Sequence, residues 1–431
     1  MSLRVKVRGA AISAYLNRGP GLKRSLHAIG RAVSRGDRVV TFYHQVDDPY
    51  SHLLAQALVP VVERFAITLK PVVVPPPGAD ADPEPQKRLA FAMRDASELA
   101  ARRDIRFPQD PKPPAEDRVR RVNAVLLAER PAAEWLRAAV TLGDALWDDD
   151  GDALATAVKE FGTVSGQSVR PTLEANYQTL RRAKHYMGAT LSYAGIWYWG
   201  IDRLPHLLDH LAADGAGEPF VVAPRRPASI AATGSTLQCF FSFRSPYSYL
   251  AIARLHALRD RLPEIEFRPL LPMVTRGLPV PKDKVMYIAR DAKREADRLG
   301  IPYGRVCDPL GEGVSKCLAV FTYAQRILGT RPAHDFALAA YEGIWSKAID
   351  VGSDAGIREV AETAGVAAIV DEALSDAQWR EQVEANRAAM SEQGLWGVPC
   401  FRVGDWTTWG QDRLWLALER LGVTDTGDAP A

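Results

Sequence analysis

Few residues in this chain have both the type and the spacing to do chemistry. Ser245 and Ser248 flank a proline in SPYS (245–248), directly after the β-rich run LQCFFSF (237–243) and ahead of a helix-like pattern. A serine there is a good helix cap, with Pro246 at the first helical position. It also sits where backbone amides and the helix dipole favour an anion. Disulfide exchange is excluded at these two positions, because it needs a thiolate and a hydroxyl cannot take that part. The four cysteines, Cys239, Cys307, Cys317 and Cys400, form no C-x-x-C pair. They make no disulfide framework, and a reducing compartment is the simplest setting. The eight histidines show no ligand pattern. His206 and His210 are four apart on a helix-like stretch without a third ligand, so they read as helix surface and no metal site is expected.

The stretch that positions SPYS is written twice. VVTFYHQV (39–46) leads into DPYSHL (48–53), 197 residues before SPYSYL (245–250). WGIDRL (199–204) returns as WGQDRL (409–414), 210 residues on. Two motifs in one order at nearly one spacing imply a tandem duplication with a modest insertion. Each repeat opens strand–helix–strand, with second strands in AITLKPVVV (66–74) and IEFRPLLP (265–272). A long Ala-rich helical middle follows, then a short β element (CFRVGDW, 400–406, in the second repeat) and a last helix. That order is an α/β layer architecture with a helical insertion. The loop PPPGADADPEP (75–85) reads as surface.

Length and composition fit two soluble domains: 431 residues, 47% hydrophobic, 25% charged. A net charge of +2 argues against nucleic acid as a partner for the bulk of the chain. No apolar run is long enough to span a bilayer. Residues 1–38 hold nine Lys or Arg against one acid, Asp37. They read as a basic N-terminal extension: solvated, or similar to an organelle transit peptide, or a helix that contacts a membrane surface or a partner. No secretory h-region is present, and cytoplasm is the default. The expected domains are 39–213 and 237–424, joined by the Ala/Gly/Pro-rich linker 214–236 and followed by a tail, 425–431.

Residues 237–424 resemble a known family. FFSFRSPYSYLA, the spacing of Lys284, Tyr287 and Asp291, LGIP (299–302), GVPCF (397–401) and WGQDRL are similar to the 2-hydroxychromene-2-carboxylate isomerases and the kappa-class glutathione transferases. Those proteins form the DsbA-like branch of the thioredoxin fold. The resemblance implies two tandem thioredoxin-like, DsbA/kappa-type domains, each with a helical insertion. It implies glutathione as cofactor and Ser245 as donor to its sulfur, lowering the thiol pKa together with the helix N-terminus. It implies Pro399 as a cis-proline and Val398 as the residue whose backbone pairs with the cysteinyl part of glutathione. Gln411 and Asp412 would hold the γ-glutamyl end, and Lys284 the substrate or the glycine carboxylate. Cys400 is either a buried thiol or a redox-sensitive one close enough to form a mixed disulfide. The stretch CDPLGEGVSKC (307–317) lacks the Asn that helps the family's isomerases position substrate. This weakens the substrate assignment more than it weakens glutathione binding.

In the first repeat Asp48 replaces Ser245, and Ala189 falls where Pro399 stands. Asp caps a helix as well as Ser does. Its carboxylate beside a thiolate is a like-charge pair costing about 1 kcal/mol at ~4 Å in water and about 4 at an effective dielectric near 20. The first copy therefore reads as degenerate, keeping the scaffold and packing on the second as an intrachain pseudo-dimer. The function expected is glutathione-dependent cis/trans isomerisation of an unsaturated aromatic acid. A kappa-type transferase acting on a small aromatic or electrophilic substrate, or a non-catalytic scaffold, are the alternatives.

Overall fold

The computed structural model describes residue 9 and residues 12–17, 37–222 and 236–423. The chain divides into two compact units. One comprises Gly21–Ala228, the other Ser229–Ala429 together with Met1–Pro20.

In the N-terminal unit, β1 (Val39–His44) runs parallel to β2 (Thr68–Val73), with the Pro49–Arg64 helix between them in sequence. Its other edge pairs antiparallel with β3 (Thr190–Tyr193), which forms a hairpin with β4 (Ile196–Trp199). The sheet order is β2-β1-β3-β4. Five helices between Pro85 and Arg182 form the insertion.

The C-terminal unit repeats the layout. β5 (Leu237–Phe241) pairs parallel with β6 (Ile265–Pro269) across the Pro246–Ala257 helix. It pairs antiparallel with β7 (Cys400–Val403), which turns into β8 (Trp406–Trp409), giving the order β6-β5-β7-β8. The insertion begins with the Lys282–Leu299 helix. Its core gathers Phe241, Phe243, Phe321 and Tyr341, all fully buried, in edge-on and tilted ring contacts.

Both helix starts follow one local rule. Proline occupies the first helical position, where its missing N–H costs no hydrogen bond and its fixed φ suits the helix. Both last helices follow a positive-φ glycine, Gly200 (φ 70°) and Gly410 (φ 106°), a conformation that glycine takes without steric cost.

Four expectations are corrected in whole or in part. The single short β element near 400–406 is a two-stranded hairpin, turning at Gly404 and Asp405. His210 is buried instead of facing solvent, its Nδ1 2.7 Å from the Tyr198 hydroxyl. The 75–85 loop buries Ala81 and Asp82, because Asp82 turns inward to accept from Arg88 Nε (2.5 Å). Within residues 1–38, residues 12–17 are helical, and Leu16, 2% exposed, lies in the C-terminal unit's core. Residues 12–17 are thus packed on that unit and are not a solvated stretch. Expectations for residues 18–36, 223–235 and 425–431 lie outside the described residues.

Candidate functional site

Ser245 is the N-cap of the Pro246–Ala257 helix. Its Oγ accepts from the Ser248 amide at 3.1 Å. The same oxygen donates to the Val398 carbonyl at 3.4 Å, near the outer limit for a hydroxyl hydrogen bond. The hydroxyl therefore serves as cap while its proton is held weakly. Ser248 is fully buried and its Oγ accepts from Ser242 N (3.4 Å), tying the helix to the end of β5.

The Val398–Pro399 peptide is cis, and the Pro399 carbonyl accepts from Gly410 N (2.9 Å). The fold thus brings Ser245, Val398, Pro399 and the WGQDRL turn to one end of the sheet. Gly397 lies under an indole: a Cβ there would stand 2.7 Å from Trp409 Nε1 and 2.9 Å from Cε2. Gly397→Ala is expected to displace the 396–399 loop and destabilise the chain by about 1–3 kcal/mol, as overpacking does. A melting curve checks it, and an unchanged Tm would mean that the ring moves aside freely.

The remaining predicted residues divide. Asp412 is half-buried at the start of the Gln411–Arg413 turn, near the helix end. Lys284 is half-buried on the Lys282–Leu299 helix, which also carries buried Tyr287 and Asp291. Asp291 accepts from the Tyr247 hydroxyl at 2.7 Å and pairs with Arg294. Gln411, expected at the γ-glutamyl end of glutathione, has a buried side chain with partners inside the fold. It is 1% exposed, its Oε1 accepts from Arg254 (3.2 Å), and its amide bonds Glu295 (3.3 Å) and Asp412. Such a saturated, buried amide fixes the turn, and the N-terminal unit has buried Ile201 at the same place in its WGIDRL turn.

Cys400, expected as either a buried thiol or a redox-sensitive one, lies at the start of β7. It is fully buried, its Sγ donates to Gly397 O (2.8 Å), and burial pushes its thiol well above the usual range. Burial likewise raises Cys239 and Cys317, and pushes Cys307 up to about 11. Among the described residues no cysteine is a ready thiolate, so the chain's own thiols do not compete for that role. Among the described residues no cluster of His, Cys, Asp and Glu can hold a metal ion.

The corresponding turn in the N-terminal unit is bonded differently. Ala189 holds φ 51°, and its carbonyl accepts from Gly200 N (2.8 Å) as Pro399 accepts from Gly410. Its own N–H donates to Ser51 Oγ (2.9 Å), which also accepts from Gln45 N (3.0 Å) and donates to Asp48 Oδ2 (3.1 Å). A Cβ on Gly188 would meet Gln45 Cβ at 2.6 Å, so the Gln45 side chain packs directly on this glycine. Burial pushes Asp48 up to about 6 against the pull of Arg88, whose Nη1 lies 3.8 Å away. It pushes His44 down to about 3, with His52 adding like charge.

Arg88 is a residue that sequence reasoning missed. Arg88, Phe91 and Asp95 stand 196 residues before Lys284, Tyr287 and Asp291, with the same internal spacing. Asp95 accepts from the Tyr50 hydroxyl (2.8 Å) as Asp291 does from Tyr247. The shared R/K-x-x-F/Y-x-x-x-D pattern was the signal.

A parallel strand pair, a helix opening on Ser-Pro, an inserted helical layer and a β-hairpin behind a cis-proline define a DsbA-like thioredoxin domain. The family model of that name matches residues 236–422. Within that class, a 2-hydroxychromene-2-carboxylate isomerase of Sphingobium xenophagum is 30% identical over 191 residues, covering 42% of this chain and 94% of the relative. The chain belongs to this isomerase's family through its C-terminal half. A solved 2-hydroxychromene-2-carboxylate isomerase is 25% identical, covering 43% of this chain and 94% of that one, at TM-score 0.38. The cytosolic disulfide reductase DsbM of Pseudomonas aeruginosa, solved with GSH, is 16% identical over 40% of this chain and 88% of that one, at TM-score 0.30. Among the described residues no helix is long and apolar enough to cross a membrane.

Proposed function

We propose that the C-terminal unit is a glutathione-dependent isomerase of the 2-hydroxychromene-2-carboxylate type. The observation that carries this is the state of Ser245. Its hydroxyl sits at a helix N-terminus beside Val398 and Pro399, with its proton held only by a 3.4 Å bond. Turning that proton from a carbonyl to a thiolate costs little, and the helix end favours the same charge.

The residues present suit glutathione. When bound, glutathione supplies a thiol nucleophile for reversible addition to an unsaturated bond of an aromatic acid. Ser245 donates to the sulfur and favours its ionised form. Val398 offers backbone to the cysteinyl segment, and Asp412 pairs with the γ-glutamyl amine. Lys284 holds an acidic group of substrate or cofactor. Transferase chemistry is the second reading, favoured by 307–317: it has no Asn, and its Asp308 is bound to Arg244 (2.8 and 3.0 Å).

The first unit is proposed to be a diverged copy without a glutathione site. Five matched hydrogen bonds support duplication. Tyr50–Asp95 answers Tyr247–Asp291, and Gly200 N–Ala189 O answers Gly410 N–Pro399 O. Gln45 N–Ser51 Oγ, Asp48 N–Gln45 O and Val74 N–His44 O answer Ser242 N–Ser248 Oγ, Ser245 N–Ser242 O and Leu270 N–Phe241 O.

Calorimetric titration of reduced glutathione into the full chain is expected to give one site. Asp412→Ala should weaken it about tenfold, or about 1.4 kcal/mol. Two sites per chain would overturn the retired first copy. No heat of binding, with no isomerisation of 2-hydroxychromene-2-carboxylate in glutathione, would overturn the enzyme reading.

A further inference from the structure

Among the described residues, Gly9 and residues 12–17 pack on the C-terminal unit, and their hydrogen bonds to it fall on the extended segment 303–308. Gly304 donates its N–H to Trp345 O (2.9 Å), and its carbonyl accepts from Asn17 Nδ2 (2.9 Å). Val306 donates its N–H to Ser13 Oγ (3.0 Å), and Cys307 donates to Ile344 O (2.9 Å). The segment is thus bonded from two sides, with residues 13 and 17 supplying one of them. Gly9 reinforces the fit, since a Cβ there would stand 2.6 Å from Val306 O. Leu16 enters the core, and the Arg290 guanidinium lies over the Tyr15 ring at 3.8 Å. Arg290 belongs to the helix that carries Lys284.

From this segment and the residue before it, two ties run to the start of the Ser245 helix. Pro302 O accepts from the Tyr249 hydroxyl at 2.8 Å. Asp308 accepts both Nε and Nη2 of Arg244, at 2.8 and 3.0 Å. A two-point guanidinium–carboxylate fork fixes orientation as well as distance. Arg244 immediately precedes Ser245, so its fork sets where the capping residue stands.

We propose that residues 13–17, the 303–308 segment and the Asp308–Arg244 pair form a brace that positions Ser245. Arg244 and Asp308 are positioning residues, and the braced serine's role rests on the function proposed above. The brace joins parts of the chain more than 200 residues apart.

The test uses the full chain, with a Ser13→Ala/Asn17→Ala double variant, Asp308→Asn and Asp308→Glu. Hydrogen exchange is followed at 303–308, at 244–249 and, as control, at 39–44. The double variant is expected to speed exchange at 303–308 and at 244–249 by about tenfold or more, leaving 39–44 unchanged. Asp308→Asn should speed exchange at 244–249 alone, and Asp308→Glu should restore most of the protection. Where glutathione binds, Asp308→Asn should raise its Kd about fivefold to tenfold at unchanged stoichiometry, and Asp308→Glu should recover it. If 303–308 loosens while 244–249 does not, or if Asp308→Asn and Asp308→Glu behave alike, the brace is overturned. A wild-type chain that binds no glutathione would overturn the function and leave the exchange arm to decide the brace.

Discussion

Ser245→Ala is expected to lower turnover by about a hundredfold while costing only about 1 kcal/mol of stability. The two effects separate because Ser245 Oγ has two roles. As acceptor from Ser248 N at 3.1 Å it caps the helix, and an N-cap Ser→Ala change costs that modest amount. As donor it is bound only to Val398 O at 3.4 Å, so most of the donor's worth is realised once a thiolate replaces that carbonyl. Loss of a preorganised donor to developing charge costs two to three orders of magnitude in comparable sites. The pH profile gives the sign. Without the donor the bound thiol ionises at higher pH, so the acidic limb of the rate profile moves up and the deficit shrinks in alkali. Ser245→Thr should keep most activity. Ser245→Asp should lose more than Ser245→Ala, because a carboxylate opposes the thiolate by ~1–4 kcal/mol at ~4 Å. Turnover that survives Ser245→Ala at neutral pH would reduce this residue to a cap.

The ends of each unit were legible in the sequence because turns and helix starts are chemically demanding. Pro49 and Pro246 mark first helical positions, and Gly200 and Gly410 mark positive-φ turns. The hairpins were legible too: Ala194-Gly195 and Gly404-Asp405 are two-residue turns between β-rich runs, and reading one strand there overlooks that signal. The match between the middles of the two units is fainter. Arg88 for Lys284 and Phe91 for Tyr287 keep charge and shape but not identity, within Ala-rich helices that carry little other pattern. Packing of Leu16 into a core some 220 residues away has no local signature at all. Nor has the burial of Gln411 and Cys400, since neighbours from other elements decide whether a polar side chain faces ligand or core.

In the N-terminal unit a large effect is expected at the buried pair of Asp48 and Arg88. Asp48→Asn is expected to stabilise that unit by about 3 kcal/mol at pH 7–8 and by almost nothing near pH 4. Asp48 is 3% exposed, and burial pushes its carboxyl from 3.8 to about 6, against the opposing pulls of Arg88 and Ser51. The folded state therefore holds this proton more tightly than the unfolded chain does. Between about pH 4 and 6 the folded state binds more protons, so stability falls as pH rises through that window and levels off above it. An asparagine never ionises and escapes the fall, while its amide oxygen can still accept from Ser51 Oγ. Removing the cation acts oppositely. Arg88→Met leaves Asp48 and Asp82, both buried, without their guanidinium, and should cost about 3–5 kcal/mol. Hydrogen exchange of β1 and β2 at pH 4.5 and 7.5, in the full chain, reads both variants. If Asp48→Asn weakens protection at pH 7.5, the Arg88 pairing outweighs desolvation and the buried carboxylate supports the fold. If it strengthens protection, the unit keeps at the start of its helix a charge that costs stability and opposes a thiolate.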